Sequence, residues 1–112
     1  YPDLHCLMLF GSRARNDARD DSDWDFGFIA EDTLDPASLI TDLVLILHTD
    51  QVDLVDLKRA GGLLRYRAAS EGTPIVDRDS AWNRFQLEAA DFWCDVEPVL
   101  RAAYRDVLKA AG

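Results

Sequence analysis

The chain has 112 residues, of which 48% are hydrophobic, and a formal net charge of −9 at pH 7. This length fits one domain with a buried core. We expect a single domain over residues 1–112, with a sheet and its helices in residues 1–77 and a helical segment in residues 78–112. The acidic balance argues against direct binding of nucleic acid, because a phosphate-binding surface needs clustered Lys and Arg.

The sequence shows no sign of a membrane or secreted protein. No apolar run approaches the ~18 residues of a membrane span, and the first residues do not resemble a signal peptide. Cys6 and Cys94 lie within apolar patterns, so both are predicted to be buried, reduced thiols. These features predict a cytoplasmic protein that does not contact membranes.

The first third of the chain predicts two strands joined by a polar segment. Residues 4–10 form an apolar run that ends at Gly11-Ser12, which is typical of a buried strand followed by a turn. Residues 13–22 predict a short exposed helix or loop. Residues 23–30 alternate with a period of two, so the two faces of this strand carry different residues. One face carries Trp24, Phe26 and Phe28, and the other carries Asp23, Asp25, Gly27 and Ile29.

The middle third predicts two helices around a third strand. A proline suited to a first helical turn predicts a helix over residues 36–48. Residues 52–57 predict a strand, and residues 60–71 predict a helix that ends before Gly72. Residues 73–76 predict a short edge strand.

The last third predicts one long amphipathic helix. Apolar side chains recur at steps of three and four, at Trp82, Phe85, Ala89, Phe92, Val96, Val99, Ala103 and Val107. We expect Pro98 to kink this helix or to divide it in two. Two explanations of the stripe stay open, packing against the domain's own sheet or a surface for a protein partner. The order of elements predicts an α/β (α+β) fold, a small mixed sheet covered by helices.

Two carboxylates indicate a candidate metal site. Asp23 and Asp25 are predicted to project from one face of a strand, about 7 Å apart at a rise of roughly 3.3 Å per residue. Such side chains can converge on cations ~3.5–4 Å apart, the spacing of two-metal phosphoryl-transfer sites. Oxygen ligands alone favour Mg²⁺ or Mn²⁺ over zinc. On the next strand Asp53 and Asp56 lie on opposite faces, and alternation does not choose which of them is a third ligand.

A turn and two arginines precede this pair. Gly11-Ser12 follows the first strand directly, so backbone N–H groups and the Ser12 hydroxyl can approach phosphate oxygens. Arg13 and Arg15 are suited to bidentate contacts with a polyphosphate. Together with the carboxylates, these residues indicate phosphoryl-transfer chemistry. Four later basic residues either line the same site or form a solvated helix face: Lys58, Arg59, Arg65 and Arg67.

The arrangement of Gly11-Ser12, ten residues and then Asp23-Trp24-Asp25 resembles the signature of the DNA polymerase β superfamily of nucleotidyltransferases. The segments FGSRAR, SDWDFGFIAEDTLD, VDLVDLKRA and EGTPIVDRD resemble the minimal nucleotidyltransferases, in particular the MntA-type antitoxins that are paired with HEPN-domain RNase toxins. Family members often have Gly after the GSxAR segment. This chain has Asn16-Asp17 there, and Asn tolerates positive φ better than most residues.

The resemblance implies a polymerase β-type nucleotidyltransferase fold and a role for individual residues. Gly11 and Ser12 are implied to bind the triphosphate of ATP. Asp23 and Asp25 are implied to hold two Mg²⁺ ions, for which Mn²⁺ can substitute. Asp53 is implied to be the third carboxylate, in preference to the other aspartate of its strand.

The resemblance also implies an activity and a partner. The expected reaction transfers AMP from ATP to a hydroxyl, expected to be that of a tyrosine, on a cognate HEPN toxin. This transfer would neutralise the toxin within a hetero-oligomeric complex. Two alternatives stay open: a non-catalytic antitoxin that masks its partner, and a nucleotidyltransferase that acts on a small molecule such as an aminoglycoside.

Overall fold

A computed structural model describes residues 1–15 and 22–111. The elements in these ranges are β1 (Leu4–Phe10), β2 (Trp24–Ala30), α1 (Pro36–Leu47), β3 (Val52–Asp56), α2 (Gly62–Glu71), β4 (Thr73–Asp77) and α3 (Ala81–Ala111). Each has the predicted type and lies close to its predicted position. The predicted helix or loop over residues 13–22 includes Asn16-Asp17, and its residues 16–21 lie outside the described ranges.

The strands form one sheet in the order β3-β2-β1-β4. β1 pairs antiparallel with both β2 and β4, whereas β2 and β3 run parallel and are connected through α1. β4 lies at an edge, as predicted. The sheet is therefore the small mixed sheet that the order of elements indicated.

α1 covers one face of the sheet. Its start is fixed by Asp35, whose side chain accepts a hydrogen bond from the Ala37 amide at 3.1 Å. Leu39 and Leu43 pack against this face, where Phe26 is one of the buried side chains of β2. This packing aligns β2 and β3 side by side, which positions the candidate site described below.

α2 and α3 cover the opposite face. Met8 and Leu57 are fully buried between the sheet and these helices, together with Phe85 from α3. α2 ends before Gly72, as predicted. Gly72 takes an extended conformation, with φ of −75°, and its amide donates to the carbonyl of Ala68 at 2.9 Å.

α3 is one uninterrupted helix of 31 residues, so the expected division at Pro98 does not occur. At 1.5 Å per residue it is about 46 Å long. Proline removes the amide that would bond to the carbonyl of Cys94, but both residues are exposed, so water can satisfy that carbonyl. No helix within the described ranges, α3 included, is long and apolar enough to cross a membrane.

Burial divides α3 into two halves. In the inner half, residues 81–93, the buried side chains are Ala81, Phe85 and Ala89. The ring of Phe92 packs so closely on Gly62, the first residue of α2, that a Cβ there would lie 2.2 Å from it. In the outer half, residues 94–111, the exposed large apolar side chains are Val99, Leu100, Tyr104, Val107 and Leu108. Packing on the domain therefore explains only the first half of the apolar stripe.

The two cysteines differ in exposure. Cys6 is buried in β1, as predicted, and burial, with a contribution from Asp77, raises the pKa of its thiol to about 11. Cys94 is exposed, so its predicted burial was wrong. Nine residues separate Cys94 from Ala103 of the apolar stripe, which places it about half a turn around the helix from that stripe. Both thiols are free.

Candidate active site

Two aspartates meet across the parallel strands β2 and β3. The register pairs Asp25 directly with Asp53. Asp56 is the last residue of β3, where it accepts hydrogen bonds from the Lys58 amide at 3.0 Å and from the Arg59 side chain. The register therefore brings Asp53 beside Asp25 and leaves Asp56 engaged in the turn after the strand. We refer to Asp23, Asp25 and Asp53 as the aspartate site.

Asp25 is the partly buried member of the aspartate site. Its pKa is raised above the ordinary value, first because burial penalises the charged form and then because of Asp53 and Asp23. Arg67 and Arg15 act in the opposite direction. Asp23 and Asp53 are exposed, so the site opens to solvent.

The donor set of the aspartate site suits a hard divalent cation. Neighbouring carboxylates repel one another, and oxygen is the ligand that Mg²⁺ and Mn²⁺ prefer. Neighbouring strands lie about 4.8 Å apart, which lets carboxylates of directly paired residues reach one ion. As the side chains stand, no three His, Cys, Asp or Glu residues within residues 1–15 and 22–111 are close enough to hold a metal. An ion held by all three carboxylates therefore requires their side chains to rotate toward it.

The turn after β1 passes directly over Asp25. Gly11 has a φ of +77°, and a Cβ at this position would lie 2.4 Å from Oδ2 of Asp25. The amides of Ala14 and Arg15 donate to the Gly11 carbonyl at 3.1 and 3.2 Å, which closes the turn. Only glycine combines this φ with so close an approach. Ser12, which follows, is half-buried in the same turn.

Arg13 and Arg15 extend toward different sides of the sheet. The Arg13 guanidinium lies 4.2 Å from the centroid of the Trp24 ring and donates to the Ser22 carbonyl at 3.2 and 2.8 Å. Trp24 packs on the face that α1 covers. Arg15 donates to Glu71 of α2 at 3.0 Å, on the side of the aspartate site. Of the two arginines, Arg15 is therefore the better placed for a ligand at that site.

α2 contributes two residues to the surroundings of the aspartate site. Arg67, one of the four basic residues singled out in the sequence, acts electrostatically on Asp25. Its Nε donates to Glu71 Oε2 at 3.3 Å. Glu71 was missed by the sequence analysis. The only signal for it was its spacing of four residues from Arg67, which is common on solvated helices.

The other basic residues lie away from the aspartate site. A cavity of about 360 Å³ toward the other end of β2 is lined in part by His5, Lys58, Arg65, Arg84 and Glu88. Arg65 bonds to Glu88 at 3.1 Å, and Lys58 donates to the Ala30 carbonyl at 2.7 Å. These charges are therefore engaged within the chain.

Comparisons with known proteins agree with this arrangement. The family described as "Polymerase beta, Nucleotidyltransferase" matches residues 1–81. The chain is 28% identical over 110 residues to the protein adenylyltransferase MntA of Shewanella oneidensis, covering 96% of this chain and 78% of that protein.

Solved structures are similar over the same extent. A toxin–antitoxin structure with AMP-PNP matches with a TM-score of 0.79 at 27% identity, covering 96% of this chain and 89% of that chain. A tri-AMPylated Shewanella oneidensis HEPN toxin in complex with an MNT antitoxin matches with a TM-score of 0.71 at 26% identity, covering 96% and 86%. The long C-terminal helix and the sheet are thus both part of a known architecture.

Proposed function

This chain is a member of the polymerase β nucleotidyltransferase family, and we propose that it is an antitoxin that transfers AMP from ATP to a hydroxyl of a HEPN-domain toxin. The observation that carries the proposal is the pairing of Asp25 with Asp53 beside the Gly11-Ser12 turn. Similarity to an adenylyltransferase, and to an antitoxin solved with an AMPylated HEPN toxin, supports the choice of nucleotide and acceptor.

In the proposed reaction the aspartate site holds two Mg²⁺ ions, a role that Mn²⁺ can also fill. When bound there, such ions would lower the pKa of the acceptor hydroxyl and neutralise charge on the departing pyrophosphate. The partial burial of Asp25 favours this use, because a carboxylate shielded from water interacts more strongly with a cation.

The turn after β1 binds the triphosphate. Backbone N–H groups and the Ser12 hydroxyl donate to phosphate oxygens, and Arg15 offsets their charge, while Arg13 holds the turn through Trp24 and the Ser22 carbonyl. The absence of a side chain at Gly11 lets the turn itself approach Asp25, which brings the backbone N–H groups of the turn beside the aspartate site. The acceptor oxygen, expected to be that of a tyrosine, forms a bond to the α-phosphorus as the bond to pyrophosphate breaks, and the hydroxyl proton passes to water.

The outer half of α3 is the proposed docking surface for the toxin, which gives a hetero-oligomer. Its exposed apolar side chains recur at helical spacing and cover about half of the circumference of the helix, at Val99, Leu100, Tyr104, Val107 and Leu108. A group of large exposed apolar side chains on one helix segment is typical of a protein interface, and tyrosine is enriched in such interfaces.

The test combines the chain with ATP, Mg²⁺ and the proposed HEPN-domain partner, and the intact masses of both proteins are then measured. We expect adducts of adenylate mass on the partner, lost with Asp23→Ala and kept with the control Asp56→Ala. An unmodified partner in a stable complex would contradict catalysis and leave the masking antitoxin. Transfer to an aminoglycoside, with no protein adduct, would identify a small-molecule enzyme.

A further inference from the structure

Glu71, the last residue of α2, holds two arginines beside the aspartate site. Its Oε2 lies 3.0 Å from Nη1 of Arg15 and 3.3 Å from Nε of Arg67. The Glu71 side chain is 28% exposed, whereas those of Arg15 and Arg67 are 40% and 52% exposed. The carboxylate is therefore the sheltered member of the group, and both guanidinium groups reach solvent.

Both guanidinium groups also act on Asp25. Each opposes the rise in the pKa of Asp25 that burial and the other aspartates cause, which places both within electrostatic range of the aspartate site. Arg67 bonds to Glu71 through Nε, and the described part of the chain gives its two terminal nitrogens no hydrogen bond. A planar guanidinium bonded through Nε keeps its two terminal nitrogens as donors for phosphate oxygens.

The charges explain why a glutamate is useful at this position. Two arginines that share one carboxylate leave a net charge of about +1 next to three aspartates. If Glu71 were neutral, attraction would draw the arginines toward Asp25 and Asp53, whose oxygens a cation needs. Arg67 and Glu71 alone form a pair four residues apart, which is ordinary on an exposed helix. Arg15, which comes from the turn after β1, connects that pair to the site.

We propose that Glu71 is a positioning residue that holds Arg15 and Arg67 as a clamp for the β- and γ-phosphates and keeps both arginines off the aspartates. The proposal rests on the function proposed above, since the clamp acts on a nucleotide bound at the turn after β1. The clamp is specific for the triphosphate end of the nucleotide.

Calorimetric titration tests this role. The chain with Mg²⁺ is titrated with an ATP analogue whose α–β bridge is a methylene group, which blocks transfer of AMP, and separately with AMP. Glu71→Gln should weaken binding of the analogue about tenfold and change AMP binding less than about twofold, because AMP lacks the clamped phosphates. The control Glu88→Gln removes a matched glutamate–arginine contact, that of Arg65 at 3.1 Å, and should change neither affinity.

An unchanged affinity for the analogue in Glu71→Gln, or an equal loss for both nucleotides, would overturn the clamp. If Glu71→Gln does not fold, Arg67→Gln tests the same clamp at a more exposed residue and should show the same selective loss. A wild-type chain that binds neither nucleotide would contradict the proposed function and the clamp together. Wild-type binding with an unaffected Glu71→Gln would contradict the clamp alone.

Discussion

The aspartate site and the outer half of α3 both expose groups that the described part of the chain does not satisfy. In the first region these groups are charged, and in the second they are apolar. At the aspartate site, partial burial and then the neighbouring carboxylates raise the pKa of Asp25. On the outer half of α3, large apolar side chains such as Val99 and Tyr104 are 67% and 66% exposed. Cations would relieve the repulsion in the first region, and another apolar surface would cover the second, which are the two roles proposed for them.

This difference predicts that AMP transfer and partner binding depend on separate parts of the chain. The aspartate site is built by strand register within the domain, so its substitution should change the reaction and spare the partner complex. The outer half of α3 extends beyond the contact of Phe92 with Gly62, so its substitution should change the complex and spare the fold.

The largest effect is expected from Asp25→Asn. Loss of a carboxylate that holds the cations should slow AMP transfer by about 10³-fold or more, equivalent to ~4 kcal/mol of transition-state stabilisation. The affinity for the toxin should stay within about twofold. Rates follow from the growth of the adenylate adduct in intact-mass spectra, and affinity from calorimetry. A variant that loses toxin binding together with activity would contradict the assignment of catalysis and partner binding to separate regions.

A pair of substitutions locates the boundary within α3. Phe85→Ala in the inner half should lower the free energy of unfolding by about 3 kcal/mol or more, because this ring is 2% exposed in the core. Val107→Ala in the outer half should lower it by less than about 0.5 kcal/mol. Urea denaturation followed by circular dichroism measures both values. Similar losses in the two variants would show that the outer half is also part of the folded core.

Val99→Asp tests the docking surface. A carboxylate within the apolar stripe should weaken the complex with the toxin by about tenfold to hundredfold, because it would be buried without a partner. The control Cys94→Asp adds the same charge on the other side of the helix and should have little effect. Both affinities can be measured by calorimetry. Equal losses would indicate a general effect of charge and would remove the outer half as the interface.

The smallest predicted effect is a pH-dependent change in the free energy of unfolding of the metal-free chain. Since the folded-state pKa of Asp25 is raised, the folded chain binds a proton there more tightly than the unfolded chain does, and stability falls as pH rises through that pKa. Asp25→Asn should therefore raise the free energy of unfolding at pH 7 in EDTA by up to about 1 kcal/mol. The gain should disappear at about pH 3, where the carboxyl is protonated in both states. Lower stability of the variant at pH 7 would contradict this prediction.

The local elements could be predicted from the sequence because their signals are local. Two-residue alternation predicted β2, and Pro36 predicted the start of α1. The pairing of Asp25 with Asp53 could not be predicted in this way, because alternation describes one strand and not its neighbour. Only family resemblance favoured Asp53 over Asp56, and its role as a ligand stays a prediction.

Two further features depended on tertiary structure. The apolar stripe of α3 is continuous in sequence, but the domain covers only its inner half. α2 begins at Gly62, the residue on which Phe92 packs, so α2 does not accompany the outer half of α3. In the sequence, Glu71 resembles any exposed helix residue, because its contact with Arg15 exists only in the folded chain. In both cases the sequence predicted the secondary-structure element, whereas the contacts of its side chains depended on the neighbouring elements.

The most direct test of nucleotidyl transfer is to supply ATP labelled with ³²P at either the α- or the γ-phosphorus, with Mg²⁺ and the HEPN-domain partner. We predict that label from the α-position is incorporated into the partner while pyrophosphate is released, and that label from the γ-position is not incorporated. Incorporation of γ-label would show phosphate transfer, and no incorporation from either position would show a chain without this activity. Either result would contradict the proposed function.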